Sequence, residues 1–553
     1  MTQRHGGAIL AGQLKIQGVT RVYSVPGESF LAALDGLYES GIQNVVCRQE
    51  GGAAMMAEAH GKLTGRPGVA FVTRGPGATN ASSGLHVAMQ DSTPMILFVG
   101  QIARAHRDRE AFQEVDYRQM FGGLVKWVAE IDQTDRLPEY IARAFQIAQS
   151  GRPGPVVLAL PEDMLSAMTD VADRPAAQPA RAMPAPADVA RIVQMLGQAK
   201  RPLVVAGGPG WSAQAAADMQ RFAEGMDLPV AVPFRRQDYV NNDSAHYAGD
   251  LGVGMNPALA KRLKDADLLL VIGARVGDIL TDGYTSLDPS NLGKTLIHAH
   301  PSPDEPGHVY APDFALACDS EALIAALADA GGRAGDWAGW RAQARADYEA
   351  WQTPKETPGP VKMEQVIGWL SENLPHDAIL TNGAGNYAAF VHRYYRFRSY
   401  KTQVAPTSGS MGYGFPASIA AKLAHPERTV ICFAGDGCFQ MTCNEMSTAI
   451  QHGAAVIVIV VNNGKYGTIR MHQEKTYPGR VSGTMIANPD FAALARAYGG
   501  YGQTVTRTED FAAAFKQAQA AGVLSVIELQ LDDEVLSTGM TLSETRAIGE
   551  SAN

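Results

Sequence analysis

The segment 429–463, TVICFAGDGCFQMTCNEMSTAIQHGAAVIVIVVNN, decides the fold of this chain. Its two apolar runs, 429–434 and 456–461, have the length and composition of buried strands. Between them, residues 445–450 have the pattern of a helix. A strand, a helix and a second buried strand in this order predict two neighbouring parallel strands in a sheet that helices cover on both faces.

Polar residues follow both of these strands. Gly435, Asp436 and Gly437 come directly after the first, and Asn463 comes after the second. Because the carboxyl ends of parallel strands meet at one edge of a sheet, we expect Asp436 and Asn463 to lie close together. A carboxylate oxygen, an amide oxygen and a backbone carbonyl suit Mg²⁺, and the glycines let backbone N–H groups approach phosphates. A plain strand–turn–helix connection with a capping aspartate is the alternative for the first turn alone.

The same alternation of apolar runs and amphipathic stretches continues through the whole chain. The spacing of Met363, Val366, Ile367, Leu370 and Leu374 predicts one face of a helix. Further strand-like runs lie at 69–73, 95–99, 156–160, 202–206, 268–272 and 378–381. Continuous apolar strands separated by helices predict an α/β fold class, with three consecutive doubly wound parallel-sheet domains.

Two proline-rich tracts divide the chain. Residues 174–187 read RPAAQPARAMPAPA, which suits a semi-rigid linker without helix or sheet, and residues 353–360 read TPKETPGP. These tracts predict an N-terminal domain over 1–173, a central domain over 188–345 and a C-terminal domain over 361–545.

The composition excludes several classes of protein. The 553 residues are 46% hydrophobic and 19% charged, the balance of a globular protein rather than a disordered or fibrous one. The formal net charge of −9 argues against nucleic acid or an anionic membrane as a partner. The longest aliphatic run, 454–461, is too short to cross a bilayer, and the five cysteines form no CxxC pair. We expect a cytoplasmic protein with reduced thiols and no membrane partner.

Several long motifs now point to a family. The run from GDG to NN resembles the thiamine diphosphate-binding motif, which begins and ends with these letters. Other matching stretches, in order, are VPGESF (25–30), CRQEGGAAMMAEAHGKLTG (47–65), TRGPGATN (73–80), GRPGPVVLALPED (151–163) and TSGSMGYGFPASIAAKL (407–423). The chain is similar to the acetolactate synthase (acetohydroxyacid synthase) large-subunit group of thiamine diphosphate-dependent enzymes. The motifs span nearly the whole chain but do not decide which member it is.

The resemblance implies a cofactor site shared between two chains. The N-terminal domain would bind the pyrimidine ring of thiamine diphosphate, and the C-terminal domain of a second chain its diphosphate and Mg²⁺. A homodimer is then the smallest active unit, and a homotetramer is equally compatible. By motif match, Asp436 and Asn463 would hold Mg²⁺ through their side chains and Lys465 through its carbonyl oxygen. Gly435, Gly437 and Tyr466 would contact the cofactor.

The resemblance also assigns roles beside the reacting atoms. Glu50 matches the family glutamate that hydrogen-bonds the aminopyrimidine ring, and Met411 matches the apolar residue that props the cofactor in its bent shape. Phe112 and Gln113 match an Ala-Phe-Gln-Glu stretch that lines the active site of acetohydroxyacid synthases. Gly27 sits where the family backbone faces the reacting carbon.

The expected reaction is decarboxylation of a 2-oxo acid, pyruvate, with carboligation to an acceptor carbonyl. Simple pyruvate decarboxylases carry a His pair and a Glu that release an aldehyde, whereas this chain has only His106 and, at the second position, Ile469. Their loss favours carboligation. His472 stands near the place of the family tryptophan that selects the acceptor, which leaves the acceptor open.

Three further alternatives stay open at this point. The chain could be a thiamine diphosphate-dependent lyase or decarboxylase acting on a bulkier 2-oxo acid, a 2-hydroxy ketone or a 2-hydroxyacyl-CoA. It could also be a cofactor-binding protein that has lost catalysis. FAD is open as well, because residues 273–278 keep only the start of the family's FAD-binding stretch. The glycines of GGPG (207–210) suit either a diphosphate cradle or a plain turn.

Overall fold

The computed structural model describes residues 3–332 and 335–552. Over these ranges the strands form three six-stranded sheets with parallel pairing throughout, and one two-stranded antiparallel sheet of Arg4–His5 and Met168–Thr169. The α/β fold class with three consecutive doubly wound sheets is therefore confirmed.

The first sheet is buried on both faces, as its continuous apolar strands predict. Ala70 and Val72 lie in one hydrophobic core, whereas Val69 and Phe71 lie in another. Across the sheet the strands are Gln43–Val46, Arg21–Ser24, Gly68–Val72, Met95–Gln101, Pro155–Pro161 and Trp127–Glu130. The α-helices of this part are Gly6–Ile16, Leu31–Tyr38, Glu50–Thr64, Pro76–Asn80, Ser82–Asp91, Tyr117–Phe121, Leu137–Gln149 and Glu162–Ser166.

The strand order of the central sheet reverses at its middle. The connections run to opposite sides from the neighbouring strands Pro202–Ala206 and Leu268–Ile272. Its strands, in order, are Tyr247–Leu251, Val230–Pro233, Pro202–Ala206, Leu268–Ile272, Thr295–His300 and Phe314–Ala317. Its helices are Pro186–Gln198, Ala213–Met226, Pro257–Asp265, Ser320–Ala330 and Ala338–Trp351. The helix that begins at Pro186 overlaps the tract 174–187 expected to lack one, because proline fits the first position of a helix.

The third sheet has the same strand order as the first. Numbered along the chain, the strands of both sheets follow the order 2-1-3-4-6-5. In the third sheet they are Gln403–Val404, Ile379–Asn382, Val430–Gly435, Ile457–Asn462, Ser525–Gln530 and Tyr501–Val505. Its helices are Met363–Asn373, Tyr387–Tyr394, Gly414–Ala424, Asp436–Gln440, Met446–Gln451, Gly467–Thr476, Phe491–Ala497, Phe511–Ala521 and Leu542–Ala552. Ligands bind such sheets in the crevice where the strand order reverses, here between strands 1 and 3.

The first and third sheets are joined through one shared core. Helices Glu50–Thr64 and Gly414–Ala424 pack together, and residues of both lie in the same hydrophobic cluster. The buried carboxylate of Glu445 accepts hydrogen bonds from the backbone N–H groups of Arg48 (3.1 Å) and Gln49 (3.0 Å). This contact fixes the turn that leads into the helix starting at Glu50.

Two further features bear on the expectations from composition. All five cysteines are free, and four of them are buried. Among the residues that the structure describes, no helix has the length and apolar character needed to span a membrane.

Candidate functional site

A cavity of about 300 Å³ lies at the carboxyl edge of the third sheet, where its strand order reverses. It is lined by residues from the turns that follow strands Ile379–Asn382, Val430–Gly435 and Ile457–Asn462. Of the predicted cofactor and metal residues, Glu50 does not line it, whereas all of those in the C-terminal domain do, namely Met411, Gly435, Asp436, Gly437, Asn463, Lys465 and Tyr466. The sequence pattern thus located this cavity, and the register explains why, since Gly435 pairs with Val461 on the neighbouring strand.

Asp436 is buried and held by three hydrogen-bond donors. Its Oδ1 accepts from the N–H of Gly437 (2.8 Å), and its Oδ2 accepts from the N–H of Gly464 (2.9 Å) and from Asn488 Nδ2 (2.7 Å). Burial raises the pKa of the Asp436 carboxyl above its usual value, so a divalent cation beside it would favour the charged form. Asn488 also donates to Asn462 Oδ1 (2.8 Å) and was missed by sequence reasoning, because its loop carries no pattern.

Asn463 and Lys465 are arranged to offer oxygen atoms. Asn463 Nδ2 donates to the carbonyl of Val535 (3.2 Å), so its amide oxygen is the atom left for a cation. The Lys465 ammonium donates instead to the carbonyl and carboxylate of Asp533 (3.0 and 3.2 Å). Lys465 and Met485 face each other as an isolated antiparallel β-bridge. The backbone groups of the neighbouring residues make its hydrogen bonds, so the Lys465 carbonyl takes no part in them.

The donor set fits Mg²⁺ only together with a phosphate ligand. In the described part of the chain, no group of three or more His, Cys, Asp or Glu side chains could hold a metal ion. The set at this edge has a single carboxylate, Asp436, with amide and carbonyl oxygens. Mg²⁺ is commonly bound by one or two carboxylates plus ligand phosphates, which matches this arrangement.

A side chain at position 437 would clash with Tyr466, which explains the glycine there. A Cβ atom there would lie 2.6 Å from Cε1 of Tyr466 and 3.0 Å from Cδ1 of Ile486. The ring of Tyr466 therefore packs directly against the backbone of this turn. The helix Gly467–Thr476 begins immediately afterwards, and the N-terminal end of a helix favours negative charge.

One unpredicted residue, Asn386, joins three walls of the cavity. Its backbone N–H donates to Thr468 Oγ1 (3.0 Å), and its Oδ1 accepts from the same hydroxyl (3.0 Å). Its Nδ2 donates to the carbonyl of Leu536 (2.8 Å). Asn386 thus ties the turn after Ile379–Asn382 to the helix Gly467–Thr476 and to the segment near the C-terminus.

The predicted residues of the first domain collect at the equivalent edge of the first sheet. Glu50 is the first residue of its helix, and its Oε2 accepts from Asn80 Nδ2 (2.9 Å). A Cβ on Gly77 would lie 3.3 Å from Glu50 Oε1 and 2.8 Å from Cγ2 of Thr73. A Cβ on Gly27 would lie 2.5 Å from Cβ of the same threonine. Glu50 and Gly27 therefore lie around Thr73, in the crevice where the first sheet reverses.

Gln113 and Phe112 lie at the rim of this crevice. A Cβ on Gly75 would lie 2.9 Å from Cβ of Gln113, so the two backbones meet closely. Arg74 Nε donates to the carbonyl of Phe112 (3.2 Å). The Phe112 residue itself is 73% exposed. The structure thus brings Gln113 to the crevice and leaves the Phe112 ring facing solvent.

Within one chain, these two sets of residues do not share a cavity. Of the residues described, those lining the 300 Å³ cavity all come from the third sheet and its connections. Glu50, Gly27, Phe112 and Gln113 are absent from that lining. In a single chain the two sets therefore belong to different crevices.

Two other cavities, of about 170 and 340 Å³, both border the turn after the central strand Pro202–Ala206, and the first also borders the turn after Leu268–Ile272. The glycines there have a structural reason of their own. A Cβ on Gly208 would lie 1.6 Å from the carbonyl oxygen of Gly273, and both residues have positive φ. Close packing of the two turns accounts for both glycines without a diphosphate, and FAD stays a prediction.

Comparison with known proteins identifies all three parts of the chain. Three domain families match: "Thiamine pyrophosphate enzyme, N-terminal TPP binding domain" over residues 4–120, the central domain over 189–327, and the C-terminal TPP binding domain over 383–529. Thiamine pyrophosphate is another name for thiamine diphosphate.

Similar proteins were found along nearly the full length. The acetolactate synthase isozyme 2 large subunit of Escherichia coli (strain K12) is 31% identical over 513 residues, covering 92% of each chain. The acetolactate synthase large subunit of Corynebacterium glutamicum is 30% identical, covering 90% of this chain and 82% of the relative. That of Lactococcus lactis is 30% identical, covering 89% and 87%.

Proposed function

This chain belongs to the thiamine pyrophosphate enzymes, in the group of the acetolactate synthase large subunits, and from that premise we propose its reaction. It is a Mg²⁺-dependent carboligase that decarboxylates a 2-oxo acid, pyruvate, and joins the remaining two-carbon unit to an acceptor carbonyl. The observation that carries the proposal is the convergence of Asp436, Asn463 and the Lys465 turn on one cavity.

The third domain holds the charged end of the cofactor. Asp436 Oδ, the amide oxygen of Asn463 and the carbonyl of Lys465 would hold Mg²⁺ together with the diphosphate. The N-terminal end of the helix Gly467–Thr476 favours the same negative charge. Support comes from the hydrogen bonds that turn the nitrogens of Asn463 and Lys465 towards other partners.

The first domain holds the reactive end. Thiamine diphosphate, when bound, supplies the sink for the electrons released as CO₂ leaves. Glu50 would hold the pyrimidine ring, and its Oε1 has no hydrogen-bond partner among the described residues, whereas its Oε2 accepts from Asn80. Gln113 and Phe112 orient the substrate at the rim, and Met411 supports the cofactor from the third domain.

A second copy of the chain completes the site. In one chain, Glu50 and Asp436 belong to separate crevices, so the working site needs the first domain of one copy against the third domain of another. A homodimer is the smallest such assembly, and a homotetramer would contain the same pairs. The free cysteines agree with a reducing compartment, and we propose the cytoplasm.

One observation favours a second candidate function. His472 is exposed and does not line the cavity, whereas Ile469 does line it. His472, which is near the position expected to select the acceptor, therefore does not close the cavity on that side. The alternative is a lyase or decarboxylase of the same family acting on a bulkier 2-oxo acid, a 2-hydroxy ketone or a 2-hydroxyacyl-CoA.

Product identification separates the two functions. The purified protein is incubated with pyruvate, thiamine diphosphate and Mg²⁺, and the products are identified by mass spectrometry. Acetolactate as the main product, absent when Mg²⁺ is chelated, supports the carboligase. Untouched pyruvate with cofactor verified as bound would overturn it, and the same assay with benzoin and a 2-hydroxyacyl-CoA then tests the alternative.

A further inference from the structure

The loop that carries Phe112 and Gln113 has an unusual backbone. Asp108, Glu110 and Gln113 have φ of 61°, 53° and 65°, in the left-handed region that non-glycine residues rarely adopt. Aspartate tolerates this region better than glutamate or glutamine does. Three such residues within six positions persist only where surrounding contacts impose the conformation, and such strain concentrates at functional sites.

The carboxylate of Glu114 makes those contacts. Its Oε1 accepts a hydrogen bond from the N–H of Asp108 (2.7 Å), and its Oε2 accepts one from the N–H of Ala111 (2.9 Å). The N–H of Glu114 in turn donates to the carbonyl of Ala111 (2.9 Å). The backbone N–H groups of Ala111 and Asp108 hold the pKa of Glu114 below its usual value, so it is charged at neutral pH.

Contacts with the sheet do not fill the space behind the loop. A cavity of about 230 Å³ lies beneath it, lined on one side by Asp108 and Glu114 and on the other by Val128 and Ala129 of the edge strand. Contacts from outside hold both ends of the loop, since Arg74 Nε donates to the carbonyl of Phe112 and Arg107 pairs with Glu130 of the edge strand, and the hydrogen bonds of Glu114 set the backbone between these two points. On the outer side it meets the crevice, where Gln113 lies against Gly75.

We propose that Glu114 is a positioning residue that holds Gln113 and Phe112 where the bound substrate needs them. It acts through the backbone at Asp108 and Ala111 and itself touches no reacting atom. The inference rests on the proposed function, because it is the proposed function that places a substrate beside Gln113 and Phe112. Its geometric part, that the carboxylate orders the loop, stands apart from any activity.

The geometric part is tested with two matched variants. Glu114→Gln removes the charge and places an amide N–H₂ against one of the backbone donors. Glu110→Gln makes the same change in the same loop, at a side chain for which the described residues show no hydrogen bond or ion pair. Hydrogen–deuterium exchange of the peptide spanning 104–116 should be about 10-fold faster in the first variant and unchanged in the second. Equal exchange in both variants and the wild type would overturn the proposal.

The kinetic part of the proposal is tested by comparing the effect of each variant on kcat with its effect on the affinity for thiamine diphosphate. Misplacing an orienting group by about 1 Å can lower the rate about 100-fold, so Glu114→Gln should lower kcat by about 10- to 100-fold. Its apparent affinity for thiamine diphosphate should stay within about 2-fold of wild type, since no cofactor contact is altered. Glu114→Asp, which keeps a shorter carboxylate, should recover part of the rate, and Glu110→Gln should keep all of it.

The outcomes separate this inference from the proposed function. If the wild type turns over no 2-oxo acid, the proposed function fails, while the exchange experiment still decides whether Glu114 orders the loop. If Glu114→Gln loses cofactor affinity and kcat together, the residue has a general structural role and the positioning role is wrong. Wild-type kcat in Glu114→Gln would contradict it directly.

Discussion

The first and third domains share one strand order, but the residues in their crevices differ in burial and in the number of hydrogen bonds that hold them. In the third, Asp436 is buried and receives three hydrogen bonds, and Asn386 ties the surrounding walls together. In the first, Glu50 is half-buried with one side-chain partner, Asn80, and Phe112 is largely exposed. The same topology therefore carries a buried, hydrogen-bonded set of groups in one crevice and a more open set in the other.

On the proposed function, in which the third domain holds metal and diphosphate and the first is a catalytic edge covered by a second copy, this difference follows from what each crevice has to do. A metal and diphosphate site gains affinity from rigid, pre-placed oxygen atoms, because ordering them on binding would cost free energy. A catalytic edge that a second copy covers has to stay accessible until that copy and the substrate arrive. We therefore expect changes in the third domain to weaken cofactor binding, and changes in the first to lower the rate with the cofactor still bound.

The largest effect is expected at the catalytic edge. Glu50→Gln keeps an oxygen that can accept from Asn80 but removes the acid needed for proton transfer. General acid–base groups contribute about 10²–10⁴-fold, so kcat should fall by that factor while the affinity for thiamine diphosphate changes by less than about 10-fold. Steady-state turnover and calorimetric titration of the cofactor measure the two quantities. Wild-type turnover by this variant would refute the assigned role.

The reverse pattern is expected at the anchoring edge. Asp436→Ala removes the only carboxylate of the candidate Mg²⁺ site and three hydrogen bonds around it. Even residues that only orient metal ligands affect metal affinity about 10- to 100-fold, so the loss of a direct ligand should weaken cofactor binding by at least about 100-fold. The titration used for Glu50→Gln supplies the matched control. If both variants lost affinity equally, the contrast between the two edges would not hold.

The same contrast explains what the sequence could predict. Strands appeared as continuous apolar runs, and the observed Val430–Gly435 and Ile457–Asn462 each lie within one residue of their predicted bounds. The meeting of Asp436 and Asn463 at one edge followed from strand pairing alone. The roles of Glu50, Gln113, Phe112, Gly27 and Met411 came from motif resemblance and stay predictions.

Other functional contacts could not be found in this way. Asn386, Asn488 and Glu114 act through single side chains in loops, and neither periodicity nor composition marks a loop residue whose partner lies far along the chain. The helix Leu542–Ala552 was not predicted either, although Thr541 and Glu544 have the spacing of a capping box, and in the structure each side chain accepts a hydrogen bond from the backbone N–H of the other residue (3.1 and 2.8 Å). It exists because tertiary contacts stabilise it, which propensity alone does not reveal.

The C-terminal helix is where we expect the smallest effect, and it tests how the third domain holds the wall of its cavity. Arg546 donates from Nε and Nη2 to the buried carboxylate of Glu474 (2.8 and 2.9 Å), which joins the helix to Gly467–Thr476 beside the cavity. These hydrogen bonds, together with those from the N–H of Gly479 (2.8 Å) and from Arg470 Nε (2.7 Å), lower the pKa of Glu474 to about 2. A lowered folded-state pKa gives stability that is present above the unfolded value of about 4.5 and is lost as the pH falls towards 2.

Arg546→Met should therefore destabilise this helix by about 1 kcal/mol above pH 5, a modest value because the arginine is partly exposed. The difference from wild type should shrink as the pH falls from 5 to 2, because protonation of Glu474 removes from the wild type the pair that the variant already lacks. Hydrogen exchange of the peptide 542–552, corrected for intrinsic rates, measures this local opening where global unfolding of three domains would not. A difference that stayed constant with pH would assign the effect to the packing of the arginine stem, and the cavity wall would then be held by apolar contact rather than by charge.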